Sequence, residues 1–309
     1  MKKITITMLC ILSLASAFLV SCGGKSEQEI HRLSRQEKAR LDSIDRMALK
    51  VGVMPTLDCL PVFLAYDDSL FSRQGVDVHL RYYTAQMDCD TALMHGRVEG
   101  SVTDLVRGAY LKKKGTDLSY PIATNAYWQV ISNRKARISE LKQLSDKMIA
   151  MTRYSATDYL ATLAIDSAKP KYDVYRVQIN DVNIRLRMLL NNEMDAMLLT
   201  EPQAAKARLE QHVVLMDSRD KNLHLGAFAF RNKALAEPRR KEQLKKFIQA
   251  YNIAVDSINQ RGVSHYAKLI TKYCHADAKT IASLSRIKYD HAMEPRRHDL
   301  EVAYRVANY

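Results

Sequence analysis

Residues 49–65 read LKVGVMPTLDCLPVFLA, and this stretch sets the organisation of the chain. The apolar run at residues 49–54 is typical of a short buried strand, and Pro55 ends it. Pro61 suits the first turn of a helix, where its missing N–H leaves no hydrogen bond unmade. The stretch therefore predicts a strand, a short loop and a helix, in that order.

Strand and helix patterns continue to alternate along the rest of the chain. Strand patterns occupy residues 76–82, 100–103, 120–131, 148–152, 175–179, 196–200, 213–216 and 224–231. Helical patterns occupy residues 88–96, 104–114, 139–144, 155–168, 183–191 and 202–211, and the chain reads as helical after residue 237. Asp88 is the expected N-cap of the helix that ends near Gly96. Strands that alternate with helices predict an α/β fold with mainly parallel sheets and helices on both faces.

The amino terminus carries an export signal. Lys2 and Lys3 precede an apolar run at residues 4–20, and residues 19–22, Leu-Val-Ser-Cys, resemble the bacterial lipobox. These features indicate a signal peptide; a transmembrane helix is the alternative, but the run is at the short limit for one. We expect a signal peptide at residues 1–21 and, as the lipobox implies, a lipid on Cys22. Residues 22–47 are then a tether, helical around residues 30–47, on the periplasmic face of the inner or outer membrane.

The chain is basic. Lysine and arginine number 47 against 34 aspartate and glutamate residues, a net charge of +13. Nucleic acid would suit this balance, but an exported chain does not meet it, so no nucleic-acid partner is expected. Attraction to anionic lipid headgroups, or a generally solvated basic surface, accounts for the charge.

The five cysteines fall into two groups. Cys10 leaves with the signal and Cys22 carries the lipid, so Cys59, Cys89 and Cys274 remain. Cys59 and Cys89 each follow a loop after neighbouring predicted strands. A disulfide between these two is a hypothesis, because its geometry cannot be read from sequence.

The opening stretch and a series of later motifs resemble a known group of proteins. After residues 50–65 come Leu70-Phe71, Gly75-Val-Asp-Val78, Met87-Asp-x-Asp-x-Ala-Leu93, Gly100-Ser-Val-Thr-Asp-Leu105, Leu189-Leu-Asn-Asn-Glu-Met-Asp-Ala196, Thr200-Glu-Pro202 and Ala250-Tyr-Asn-x-Ala254. In this order and spacing they resemble the substrate-binding proteins of the nitrate, sulfonate, taurine and thiamine-pyrimidine ABC importers. The resemblance covers most of the chain from residue 48 to about residue 272.

The resemblance implies a type II periplasmic-binding-protein fold, in which two lobes enclose a ligand cleft. Lobe one would hold residues 48–127 and 226–309, and lobe two residues 129–223, joined by crossovers near Trp128 and Leu225. It also implies a non-catalytic protein that captures a small molecule and delivers it to an ABC permease. We expect a monomer without a cofactor or a metal ion.

Candidate ligand-binding residues follow from the sheet architecture. In open parallel sheets a ligand lies beyond the carboxyl ends of the strands. The residues that follow predicted strands or lie at the first crossover are Thr56, Leu57, Asp58, Gln86, Met87, Asp88, Thr103, Asp104, Tyr127, Trp128, Arg153, Tyr154, Ser155, Thr157, Thr200 and Glu201.

These residue types indicate more than one kind of ligand. Ser155 and Thr157 offer hydroxyls at a helix start, a position that favours anions. The four acidic residues of the set favour an amine or ring N–H groups, although each also suits a helix cap or a turn. Tyr127 and Trp128 either stack on a flat ligand or pack at the hinge. Together they favour a pyrimidine-like or amine-bearing solute over a plain sulfonate.

Other functions have less support in the sequence. The chain has no Gly-x-Ser-x-Gly elbow, P-loop or Gly-x-Gly-x-x-Gly, and its histidines and cysteines lack metal-ligand spacing. Two alternatives stay open. One is a sensor or surface capture lipoprotein without its own importer, and the other is a pyrimidine-synthesising enzyme, because one such family shares this fold.

Overall fold

Helix α1, Glu27–Met47, opens the part of the chain that the structure describes. The structure is a computed structural model that describes residues 27–308. The predicted signal peptide and Cys22 lie outside the described residues. Among the described residues, 27–47 and 48–308 belong to separate units, and α1 includes residues 30–47, which the sequence predicts to be helical. Within residues 27–308, no helix is both long and apolar enough to cross a membrane.

Two five-stranded sheets form the centre of residues 48–308. The first has the order β2-β1-β3-β10-β4, with β1 Leu49–Val53, β2 Val78–Tyr82, β3 Gly100–Asp104, β4 Leu118–Ala123 and β10 Gly226–Arg231. The second has the order β7-β6-β8-β5-β9, with β5 Gln129–Ser132, β6 Met148–Met151, β7 Tyr175–Gln178, β8 Ala196–Leu199 and β9 Val213–Asp217. We call the parts of the chain around these sheets lobe one and lobe two.

The sheets are mainly parallel in strand direction, as predicted, but each is mixed because one strand, β10 in the first and β5 in the second, runs against the other four. In each, the first three strands of the order pair in parallel, and the remaining two pairings are antiparallel. The antiparallel partners arise because β5 and β10 each enter their sheet from the other lobe. Only strands joined by a helical crossover within one sheet are constrained to run parallel.

The first crossover also divides a predicted strand. Residues 120–131 read as one strand, but the structure has β4 and β5 with irregular backbone at residues 124–128 between them. The chain leaves the first sheet and enters the second there. Both sides of the break are apolar and extended, so the pattern of the sequence shows no boundary.

Helices follow most strands. They are α2 Leu60–Asp67, α3 Leu70–Arg73, α4 Gln86–Met94, α5 Leu105–Lys113, α6 Ala156–Ala168, α7 Val182–Leu190, α8 Gln203–Leu209, α9 Asn232–Leu235, α10 Pro238–Arg261, α11 Ala267–Cys274, α12 Ala278–Ala282 and α13 Arg297–Ala307. Short 3₁₀ turns occupy Leu57–Cys59, Arg134–Ala136, Leu141–Leu144, Ser218–Lys221 and Val263–Tyr266. The helix predicted at residues 139–144 is one of these turns.

Both faces of the first sheet are buried. Along β10, Phe228 and Phe230 enter one hydrophobic cluster, whereas Ala227 and Ala229 enter another. Successive side chains of a strand point to opposite faces, so the two clusters cover the two sides of the sheet. Phe247 of α10 packs on the first cluster with its ring edge-on to Phe230, at 5.9 Å between centroids.

Asp88 does not cap a helix, contrary to the prediction. Helix α4 begins at Gln86, and its N-cap residue is Ala85, which offers no side-chain hydrogen bond. Asp88 therefore lies within the first turn, where it is exposed and its negative charge meets the positive end of the helix dipole.

The hypothesis of a disulfide between Cys59 and Cys89 is wrong. Cys59, Cys89 and Cys274 are all buried free thiols. Cys59 lies in the 3₁₀ turn ahead of α2 and Cys89 lies in α4, so each thiol packs into the core beneath its own helix. Removal from water raises the pKa of each thiol above its ordinary value.

Candidate functional site

A cavity of about 50 Å³ lies between the lobes, where strands of both sheets reach their carboxyl ends. Lobe one and the first crossover contribute Met54, Thr56, Asp58, Gln86, Val102, Thr103, Asp104, Ala126 and Trp128. Lobe two contributes Thr152, Ser155, Thr157, Val182, Arg185 and Thr200. Because β1, β3, β6 and β8 end here, their last residues and the loops that follow them line the cavity.

The lobes contact each other directly beside the cavity. The backbone N–H of Leu57 donates to the carbonyl of Glu201 at 2.9 Å. The amide Nε2 of Gln203 donates to the carbonyl of Pro55, also at 2.9 Å. Both bonds join lobe one to lobe two, so the structure represents a closed arrangement of the crevice.

Asp104 joins the amino termini of two helices. Its Oδ1 accepts a 2.8 Å hydrogen bond from the backbone N–H of Arg107, which caps α5 in its own lobe. The same oxygen accepts a 2.8 Å bond from the N–H of Ala156, the first residue of α6 in the other lobe. Burial raises the pKa of Asp104 to about 7, because desolvation of the carboxylate outweighs these two bonds.

Asp58 is the second buried carboxylate on the lobe-one wall. It follows β1 in the 3₁₀ turn ahead of α2 and is 8% exposed. Its Oδ2 accepts a 3.3 Å hydrogen bond from the hydroxyl of Thr124. No lysine, arginine or histidine among the described residues pairs with it. Desolvation accordingly raises the pKa of Asp58 above its ordinary value.

Arg185 lines the cavity from lobe two. This residue of α7 is 5% exposed, and its Nη1 donates to the carbonyl of Leu198 at 2.7 Å. Its Nε is buried without a hydrogen-bond partner among the described residues, and so is the hydroxyl of Thr152, another residue of the cavity wall. Desolvation lowers the pKa of Arg185 to about 10, which leaves the guanidinium charged at neutral pH.

The cavity contains the buried charged residues that lack an ion pair within the part of the chain whose burial is described. Most buried carboxylates and guanidinium groups form ion pairs, namely Asp90 with Arg107, Glu99 with Arg240, Glu201 with Arg208, Asp217 with Arg219 and Asp299 with Arg296. Within residues 34–308, the buried charged residues without such a pair are Asp58, Asp104 and Arg185. All three line one small cavity. Since a buried charge is costly unless it is paired, this concentration makes the cavity the candidate functional site.

Nine of the sixteen candidate residues line the cavity. They are Thr56, Asp58, Gln86, Thr103, Asp104, Trp128, Ser155, Thr157 and Thr200. The structure adds six that the sequence reasoning did not select, namely Met54, Val102, Ala126, Thr152, Val182 and Arg185. Val102, Ala126 and Thr152 each stand next to a selected residue, so widening each window by one residue would have found them, and Met54 lies two residues before Thr56. Arg185 had no comparable signal, because it lies inside a helix rather than at a strand end.

Glu201 and Tyr127 contact each other rather than the cavity. Glu201 Oε1 accepts hydrogen bonds from the Tyr127 hydroxyl at 2.7 Å and from Arg208 Nη2 at 2.6 Å. Its Oε2 accepts from the N–H of Ala205 at 3.0 Å. The guanidinium of Arg219 stacks 3.8 Å above the Tyr127 ring. These two candidate residues therefore form part of the packing at the first crossover.

The other five candidate residues also lie away from the cavity wall. Leu57 is in the core and Asp88 is exposed. Met87 and Arg153 both contact the side chain of Arg107, through the Met87 sulfur and the Arg153 carbonyl. Tyr154 stacks on Tyr110 of lobe one, with 4.5 Å between the ring centroids. Of these contacts, those of the Arg153 carbonyl and the Tyr154 ring join the two lobes.

The chain resembles known proteins in sequence family and in fold. A family model described as the NMT1-like family matches residues 42–270. No curated protein sequence matches the chain.

Solved structures share the fold at low sequence identity. The ligand-binding component of an ABC-type import system from Staphylococcus aureus, solved with zinc bound, is 15% identical with a TM-score of 0.70, covering 84% of this chain and 91% of that one. The periplasmic aliphatic sulphonate binding protein from Escherichia coli is 16% identical with a TM-score of 0.68, covering 84% and 90%. The periplasmic nitrate-binding protein from Synechocystis PCC 6803 is 13% identical with a TM-score of 0.67, covering 80% and 74%. At such identities the likeness establishes the fold, which is that of periplasmic binding proteins.

Proposed function

The chain belongs to the NMT1-like family, and from this premise we propose that it captures a small organic solute between its lobes and delivers it to an ABC permease. The observation that carries the proposal is the set of three unpaired buried charges, Asp58, Asp104 and Arg185, which both lobes contribute to one cavity. A solute that satisfies groups on both walls stabilises the closed arrangement. It shifts the population of closed molecules by its difference in affinity for the closed and open forms.

Closure would be a hinge motion at the two crossovers. Lobe one, as proposed, holds residues 48–127 and 226–309, and lobe two residues 129–223. In support, every strand of the first sheet lies in the former ranges and every strand of the second in the latter. The irregular segment 124–128 and the segment 218–225, which begins with the 3₁₀ turn Ser218–Lys221, connect the sheets, and short connections of this kind absorb the rotation in hinge closure.

The protein would act outside the cytoplasm, as a monomer attached to a membrane by a lipid on Cys22. A diacyl anchor holds a chain firmly because each buried methylene contributes about 0.8 kcal/mol. Helix α1 would keep the binding unit away from the bilayer. The permease is the proposed protein partner, and the chain would release its solute chemically unchanged.

The solute would carry an amine or ring N–H groups, with a pyrimidine-like or amine-bearing molecule favoured over a plain sulfonate. Two buried carboxylates on the lobe-one wall support this preference, because they accept hydrogen bonds from such groups. Trp128 lines the same wall, where its ring is available to a flat ligand.

The single tryptophan provides a direct test. Because the chain has one tryptophan and this residue lines the cavity, selectively excited fluorescence reports on the crevice alone. Full-length protein in detergent should show a saturable change in Trp128 emission with a library of amines, pyrimidines, sulfonates and vitamins, and mass spectrometry should recover the bound compound intact. A complete absence of saturable binding would contradict a solute-binding role. Recovery of a converted product would instead indicate an enzyme.

A further inference from the structure

One side of helix α5 contacts lobe two at three successive positions. Asp104, Arg107 and Tyr110 are spaced three residues apart, so their side chains lie along the same side of the helix. Beyond the Asp104 bond already described, Arg107 Nη1 donates to the carbonyl of Arg153 at 3.1 Å. The ring of Tyr110 stacks on the ring of Tyr154, with 4.5 Å between centroids and 3° between planes. We call the two stacked rings the tyrosine pair.

The tyrosine pair lies outside the solute cavity. Neither Tyr110 nor Tyr154 lines the cavity wall, and the Tyr154 side chain is 50% exposed. Each ring belongs to a different lobe, so the pair forms only when the lobes meet. Stacked aromatic rings attract each other beyond the apolar area that they bury. The pair therefore stabilises the closed arrangement over the open one by the same amount whether or not a solute is bound.

Lobe one holds Tyr110 in place by itself. Arg107 is 3% exposed and pairs with the buried carboxylate of Asp90. Its Nη2 also contacts the sulfur of Met87 at 2.8 Å. The guanidinium carbon of Arg107 lies 5.2 Å from the centroid of the Tyr110 ring, a cation–π distance. All four residues belong to lobe one, so this half of the contact does not depend on closure.

Lobe two holds Tyr154 in place in a left-handed backbone conformation. Its φ is 57°, which residues other than glycine seldom adopt. The N–H of Tyr154 donates to Asp158 Oδ2 at 2.9 Å, and Asp158 Oδ1 accepts from Arg176 Nη1, also at 2.9 Å. Unfavourable backbone conformations persist where the surroundings impose them, and they concentrate at functional positions. Lobe two therefore presents this ring before the lobes meet.

From these contacts we infer that Tyr110 and Tyr154 set the closed fraction of the solute-free protein, and through it the affinity for every solute, without touching the solute. The inference goes beyond the proposed function because it concerns closure before any solute binds. A solute that binds only the closed form has an apparent affinity reduced by the fraction of molecules that are closed. Loss of the tyrosine pair should therefore weaken chemically unrelated solutes by the same factor.

The closed fraction can be measured without a solute. Full-length protein in detergent carries spin labels on p-acetylphenylalanine in place of Asp77 in lobe one and Tyr172 in lobe two, both exposed and away from the cavity wall. This chemistry avoids the native thiols. Mass spectrometry checks that no solute is retained. Double electron–electron resonance then gives the separation present in the structure for closed molecules and a second separation for open ones.

Removal of the Tyr154 ring should shift the population toward the open form. We expect Tyr154→Gly to lower the ratio of closed to open molecules by roughly two- to tenfold, the range for loss of an aromatic pair. Glycine adopts a left-handed conformation readily, so this variant should fold. Tyr154→Phe keeps the ring and should keep the wild-type ratio. Tyr175→Ala is the matched control, because this tyrosine of lobe two is also exposed but forms no aromatic pair among the described residues.

A double-mutant cycle assigns the effect to the pair. Tyr110→Leu should lower the ratio about as far as Tyr154→Gly, and the two changes together should lower it little further, because either one already removes the stack. Thermal melts identify any variant that fails to fold, and each single variant tests the pair without the other. A wild-type protein with no closed population, or a wild-type ratio in folded Tyr154→Gly, would overturn the inference.

The outcome for the inference is separable from that for the proposed function. Any two unrelated solutes that bind in the Trp128 titration should lose affinity by equal factors in Tyr154→Gly. Unequal factors would mean that the ring contacts one of the solutes and would overturn the inference. Absence of saturable binding by every compound would overturn the proposed function, whereas the closed fraction would still be measured in the solute-free protein.

Discussion

The Asp104 carboxylate of lobe one binds the backbone N–H of Ala156 in lobe two at 2.8 Å. A side chain of one lobe thus occupies the helix terminus of the other, the position at which anions commonly bind. The same carboxylate caps α5, so a single residue stabilises two helix starts and holds the lobes together.

Asp104 should make stability depend on pH. Its pKa is about 7 in the folded protein against an ordinary value of 3.8. A raised folded-state pKa contributes stability that is present below pH 3.8 and is lost as pH rises through about 7. Asparagine also caps helices but does not titrate, so Asp104→Asn should remove this component. We expect the difference in melting temperature between wild type and Asp104→Asn to move in favour of Asn as pH rises between these limits. A difference that does not change with pH would contradict the assignment.

Removal of the cap itself is a separate experiment. Asp104→Ala loses both hydrogen bonds, whereas Asp104→Asn can keep them. Relative to Asn, the alanine variant should lower the free energy of unfolding by about 1–3 kcal/mol at neutral pH, as measured by urea denaturation. Equal stability of the two variants would show that neither helix start depends on this side chain.

Glu201 should matter for folding more than for solute preference. Glu201→Ala leaves the Tyr127 hydroxyl and the Arg208 guanidinium without their shared acceptor. Loss of one partner of a buried charged network costs about 3–5 kcal/mol, reduced here because Arg208 is partly exposed. Calorimetry should therefore show a clear fall in melting temperature. Glu210→Ala is the control, because its pair with Lys206 lies at the surface and should contribute less than about 1 kcal/mol.

Gly226 should resist substitution. An added Cβ would clash with the Thr124 hydroxyl oxygen and would lie 2.6 Å from the Cβ of Ala126, both in the first crossover. Gly226→Ala should therefore lower the free energy of unfolding by about 1–3 kcal/mol by overpacking. In the double variant Gly226→Ala/Thr124→Ser, the hydroxyl oxygen that clashes with the added Cβ is still present. The double variant should therefore recover little of the lost stability. Wild-type stability of Gly226→Ala would mean that the first crossover shifts to accommodate the added Cβ without loss of stability.

The thiols of Cys59, Cys89 and Cys274 should be unreactive in the folded protein. Burial both shields them and raises their pKa, which keeps the reactive thiolate scarce. Iodoacetamide should label none of these three positions in the native protein and all three after denaturation without reductant. Peptide mapping that finds Cys59 joined to Cys89 would contradict the structure.

The sequence by itself determined the α/β alternation, the family and most of the strand ends around the cavity. Periodicity and the positions of proline and glycine are local signals, and the carboxyl ends of parallel strands meet at one edge wherever the strands are placed. Thr56, Asp58, Thr103 and Thr200 consequently line the cavity.

Only the tertiary structure decided which of these groups are free. Glu201 and Asp58 look alike as acidic residues after a strand, but Glu201 meets Arg208 and Tyr127 whereas Asp58 meets no cation. In the sequence, Arg185 cannot be distinguished from an arginine on a surface helix. It is buried because α7 packs against the second sheet. The mixed pairing of the sheets likewise depends on strands that arrive from the other lobe. Each of these outcomes depends on contacts between residues far apart in sequence, and no local pattern encodes such contacts.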